Sequence, residues 1–210
     1  MMGKRAIKIS KFLTPEHYEY SVTIENDKAK DKFIKRVERI VRSSKEYKDY
    51  ISFLRDNMNM AKCAFFNNVS NKDTKRVKIE IHHTPFTLYD IVSAVVDRWI
   101  AEAVPLNDLY IADEVMELHY NNKVGLIPLA LTIHQVVHKS TGFIIPLNLV
   151  SGNFATFANE YNDYIDLEKL ERQINETKMV TVDSYKMLDV EFEYVEVEGF
   201  LLPRKIEKAS

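Results

Sequence analysis

The chain holds one cysteine, Cys63, in 210 residues. An intrachain disulfide framework and a cysteine-rich zinc site are both excluded. No apolar run is long enough to span a bilayer, so no membrane partner is expected. The N-terminal stretch to Leu13 is interrupted by Lys4, Arg5, Lys8 and Lys11. It lacks the apolar segment of a secretory signal. Charge of one sign is missing too: 29 Lys and Arg stand against 31 Asp and Glu, for a net −2. A protein basic all over is excluded, and any nucleic-acid surface must be local. Internal repeats, low-complexity tracts and obvious linkers are absent. The expectation is a soluble protein of a reducing cytoplasm.

What is present can build a core. Hydrophobic residues make up 46% of the chain and charged residues 29%, the balance of an ordinary globular protein. The pattern predicts an α+β fold, mainly helical. Residues 1–60 read as an N-terminal strand and helical region, 61–142 as a central unit and 143–210 as C-terminal helices with a β-hairpin. These regions are expected to form one compact body. Residues 5–13 and 18–24 are candidate strands. Lys28–Arg42 is predicted helical, with Phe33, Ile34, Val37, Ile40 and Val41 on one side. Lys28, Lys32, Lys35, Arg36, Arg39 and Arg42 share the other side. That stripe reads either as a solvated face or as a rail for DNA phosphates.

Ser43 and Glu46 resemble a capping box for a second helix. Lys62–Phe66 and Val77–Ile81 read as a hairpin around a polar turn. Thr87–Asp90 opens a strongly apolar helix to about Ala103, either core or a surface for a protein partner. Asn107 caps a helix to about Tyr120, which Asn121–Gly125 ends. Leu126–Leu129 is a short apolar run. Thr132 is a possible cap for a helix over Ile133–Lys139, closed by Gly142. Asn153 caps the next helix, and Asp166–Glu176 forms another. Met179–Asp183 and Met187–Gly199 read as a hairpin with one acidic strand face, and Lys205–Ser210 as a frayed tail.

Four of the six histidines fall in two short stretches. His134 and His138 stand four apart on a predicted helix, so their rings share one face. That spacing suits two imidazoles on one ion, although such pairs are more often surface or core residues. Gln135 stands where a zinc metalloprotease would carry glutamate. His82 and His83 are strand neighbours, which normally point to opposite faces. They serve one site only where the strand ends and bends, and Pro85 marks such an end.

Taken in order, a hairpin, His82-His83-Thr-Pro85, Gly125-Leu-Ile-Pro-Leu129 and His134-x-x-x-His138 resemble the HNH (His-Me finger, ββα-metal) endonucleases. The Lys-, Asn- and Tyr-rich composition gives the impression of a phage protein. The resemblance implies a central ββα-metal motif and metal-dependent hydrolysis of DNA. His82, His134 and His138 would be metal ligands, and His83 the general base that activates water. The cofactor would be one divalent ion (Zn, Ni, Mn or Mg), imidazole suiting zinc or nickel better than magnesium. Residues 87–120 would be an insertion packed beside the site. Gly125 stands where the family has a loop-orienting Asn, a role that Asn121 or Asn122 could take. His119 is expected to be structural or exposed. The alternative is a nuclease-like scaffold that works as a protein-binding or structural phage protein. A lesser idea has the acidic C-terminal hairpin mimicking nucleic acid.

Overall fold

The computed structural model describes residues 21–66, 69–71, 77–139, 143–179, 192–197 and 200–205. The candidate strand at 5–13, the turn at 72–76, Gly142 and residues 180–191 lie outside them. The fold is α+β and mainly helical. Among the described residues there are seven helices and two two-stranded antiparallel sheets.

The helices begin where short polar side chains offer an acceptor to free backbone N–H groups. Asn26 caps α1 (Asp27–Ser43) by accepting from the Ala29 amide. Ser44 caps α2 (Lys45–Asn57) by accepting from the Tyr47 amide. The expected Ser43–Glu46 box is therefore replaced by a single serine cap one residue later. Thr87 and Asp90 do form a reciprocal capping box, at the start of α3 (Leu88–Ala101). Asn107 caps α4 (Asp108–Tyr120), and Asn153 caps α6 (Phe154–Glu160). α7 runs Leu167–Met179, beyond the expected end at Glu176.

α1, α3 and α4 pack into the main core, with α2 and α6 against them. Leu88, Ile91, Val92, Ala94, Val95 and Val96 of α3 are all buried. Burying each Val, Leu or Ile stabilises by about 1.5–3 kcal/mol, and a helix apolar nearly all round belongs inside. This corrects two expectations. α3 is core rather than a surface for a partner, and only its end carries an exposed Ile100. Residues 87–120 are not an insertion beside a small site; they are the centre of the molecule. Glu114 ties the helices together. It accepts from Trp99 Nε1 at 2.7 Å and from the Tyr161 hydroxyl at 2.7 Å, and pairs with Arg98.

A second core surrounds β2 (Leu126–Ala130), every residue of which is buried. β2 pairs antiparallel with β1 (Ile79–His83), setting Ile81 opposite Pro128 and His82 opposite Ile127. The expected hairpin between 62–66 and 77–81 is not formed. Instead the Ala64 amide donates to the Pro128 carbonyl at 2.8 Å, and Lys62 bridges to Ser70. A strand buried on both faces reads as a plain apolar run rather than an alternating one, which is how β2 looks in sequence. α5 (Leu131–Lys139) follows β2 directly, without the expected Thr132 cap. It lays Ile133 and Val137 against this second core.

At the C-terminus β3 (Phe192–Val197) pairs with β4 (Phe200–Lys205). The hairpin therefore closes forward, with residues up to Lys205; Met179 ends α7, and the rest of the expected 179–183 strand lies outside the described residues. Its register sets Glu193 opposite Arg204. Of the expected 18–24 strand, Val22 makes one isolated bridge, to Leu106. No helix among the described residues is long and apolar enough to cross a membrane.

Candidate functional site

Strand alternation decides where the β1 side chains go. Ile79, Ile81 and His83 take one face; Glu80 and His82 take the other. His134 and His138 lie one turn apart on α5 and meet His82. The ligand-type nitrogens of these three residues lie within 4.8 Å of one another. The His82 ring centroid is 5.1 Å from each of the other two, which are themselves 4.5 Å apart. His134 Nε2 and His138 Nε2 are 3.2 Å apart.

Glu80 stands behind this trio. Its Oε2 is 2.9 Å from His134 Nδ1, and its other oxygen meets Lys78. A carboxylate only accepts, so His134 Nδ1 carries the proton and its Nε2 presents a lone pair toward His138. The hydrogen bond from Lys78 and the nearby positive charges keep Glu80 below the usual carboxylate range, against the opposing effect of burial. Burial, then the neighbouring imidazoles, push His82 down to about 4. His134 is lowered chiefly by burial, although Glu80 pulls the other way. Neutral imidazoles beside an ionised carboxylate are donors in the form a cation needs.

His83 does not join them. It is 5% exposed and faces the helical core, where its Nε2 lies 2.9 Å from Nε2 of His119, which is 0% exposed. His119 Nδ1 lies 2.7 Å from the Val115 carbonyl. That carbonyl can only accept, so Nδ1 carries a proton. Neutral His119 then accepts at Nε2, and His83 Nε2–H donates to it. Tyr47 stacks on His83 at 6.3 Å, and the Tyr50 hydroxyl donates to the His119 carbonyl at 3.3 Å. Burial holds His83 well below its ordinary value and His119 at about 4. The assignment of His83 as general base is thereby corrected: its ring faces the helical core, on the side of β1 opposite the trio. His119 is structural.

The loop residues also have other work. A Cβ on Gly125 would lie 2.0 Å from the Thr84 carbonyl oxygen, so glycine here permits close backbone approach. Asn121 is the C-cap of α4, and Asn122 follows with φ 56°; together they end a helix. They do not orient a base. The basic stripe of Lys28, Lys32, Lys35, Arg36, Arg39 and Arg42 lies exposed on α1. Lys35 pairs with Asp31 at 2.8 Å and Arg42 with Glu38 at 2.8 Å. Arg36 reaches the buried Asp108 at the start of α4, at 2.5 Å. Much of the stripe is thus spent on ion pairs within the fold. Glu80 escaped the sequence reading, although its place two residues before His82 puts both on one strand face.

The comparisons place the chain elsewhere than the nucleases. A family model described as bacteriophage G278-like virion protein matches residues 4–208. The chain belongs to this family of phage virion proteins. Neither the comparison with curated proteins nor that with solved structures returns a match. The HNH resemblance is overturned, and the family lends the endonuclease and hydrolase readings no support. Four histidines in order carry the resemblance, but only three of those rings share a face. Phage origin agrees with the family, and so does the alternative of a structural phage protein.

Proposed function

We propose that this protein is a structural component of the phage particle, and that its partners are other virion proteins. The observation that carries the reading is the family match over nearly the whole chain. The architecture is in keeping with it. Charged side chains tie the elements together, helix to helix as Lys30 to Asp97 at 2.5 Å and loop to helix as Lys123 to Glu160 at 2.7 Å. Such ties suit a scaffold that holds its shape beside neighbours.

The test is the protein content of density-purified particles. Quantitative mass spectrometry should find this chain at a fixed copy number per particle, in proportion to the other virion proteins. Cross-linking of intact particles should join it to at least one of them. Abundance in infected cells with none in washed particles would overturn the reading.

A further inference from the structure

We propose that His82, His134 and His138 bind one divalent transition-metal ion of the zinc class, which fastens α5 to β1. The inference goes beyond a structural role in the virion and does not depend on it.

Three observations carry it. The donor atoms converge from two elements: one imidazole comes from a strand and two from adjacent turns of one helix, all within 4.8 Å. Ligands around a tetrahedral zinc ion stand roughly 3.3 Å apart, given Zn–N bonds near 2.0–2.1 Å. His134 and His138 are already at 3.2 Å, and small χ rotations of His82 close the remainder. The second observation is Glu80. Metal-bound histidines usually donate their other N–H to a carboxylate, which fixes the tautomer and ring direction. Glu80 holds His134 in that way, leaving Nε2 directed at the centre of the trio. Third, the ligand set is all nitrogen. Neutral imidazoles favour zinc, nickel, copper or cobalt over magnesium and calcium, which want oxygen.

The site also has something to fasten. α5 has nine residues, none of them buried. A helix that short is marginal by itself. An ion shared by His82 and the α5 pair would pin the second turn of the helix to the sheet. His138 is exposed, so in the isolated chain water completes the coordination on the open side.

The experiment uses the full chain, stripped with chelator and titrated with Zn²⁺ by calorimetry, and with Co²⁺ followed by visible absorption. One ion per chain is expected, with the intense absorption of tetrahedral cobalt and a higher thermal midpoint. His138→Ala should weaken binding by at least about 100-fold, while circular dichroism shows the helices intact. Glu80→Gln keeps every ligand and should weaken binding by about 10- to 100-fold. If Zn²⁺ and Co²⁺ bind without stoichiometry, or equally well to wild type and His138→Ala, the site does not exist. If wild type binds but Glu80→Gln is unaffected, Glu80 has no orienting part and that half of the proposal fails.

Discussion

His82 and His83 are neighbours in the chain and inhabit different solvents. One looks outward from β1 to His134, His138 and Glu80, at a site where His138 is exposed. The other looks into the helical core and shares a proton with His119, among Tyr47 and Tyr50. The residue type is the same and the strand is the same. Only parity differs, because successive strand residues face opposite ways. The lesson concerns what a histidine is for. In the dry pair the two facing nitrogens match as donor and acceptor, and the rings stay neutral because charging them inside the core is costly. In the outer trio the ring nitrogens converge at a partly open site, and His134, held by Glu80 at Nδ1, turns its Nε2 toward His138.

The largest expected effect is on the dry side. His119→Ala removes a fully buried ring and leaves His83 Nε2–H without its acceptor. Cavity and lost hydrogen bond together should cost about 3 kcal/mol or more in urea unfolding. Replacing both, His83→Leu with His119→Leu, should cost less than His119→Ala alone, since no buried donor is then orphaned. If the double variant is the worse of the two, the pair is more than mutual satisfaction.

Acid should test the buried pair directly. His119 has a folded value of about 4, below the roughly 6.5 of an unfolded histidine. As pH falls below that value, the unfolded chain takes up the proton first. Stability is therefore complete above about pH 6.5, declines toward pH 4, and levels off once both states are protonated. The loss for His119 alone is about 3 kcal/mol, and His83 adds in the same direction. His82 is depressed as well, so the buried pair is best read in a His82→Ala, His134→Ala background. A urea midpoint that stays flat from pH 6.5 to 4 in that background would show the core pair charging without penalty.

The helices were legible because their signals are local. Asn26 aside, the caps at Thr87, Asn107 and Asn153 and the periodicity of α1 and α3 could be read within a few residues, and the serine cap to within one, at Ser43 rather than Ser44. The sheet was not. β1 had two apolar candidates for a partner, 62–66 and 126–130, and choosing between them is a nonlocal matter that periodicity does not address. β2 alternates nothing because both its faces are buried, and Pro128 argues against a strand unless its missing N–H is unneeded. The convergence of His82 with His134 and His138 was an implication of the resemblance; in the fold it comes from helical spacing plus that pairing. The fate of His83 was also legible, since parity sends it away from His82. The resemblance to the nucleases outweighed that simple rule, and the rule held.

The smallest expected effect sharpens the contrast most. Without metal, His138→Ala takes away an exposed side chain whose neighbour His134 keeps its bond to Glu80. Surface changes of this kind usually fall within about 0.5 kcal/mol, several-fold less than His119→Ala. Adding Zn²⁺ should separate wild type from the variant, because an ion that binds only the folded state stabilises it by about 2.7 kcal/mol at a hundred times its dissociation constant. The difference between the two proteins is therefore expected to open with metal and to close with chelator. A large loss in the stripped protein would mean that the outer rings are packed as firmly as the inner ones, and the distinction between the two faces of β1 would go with it.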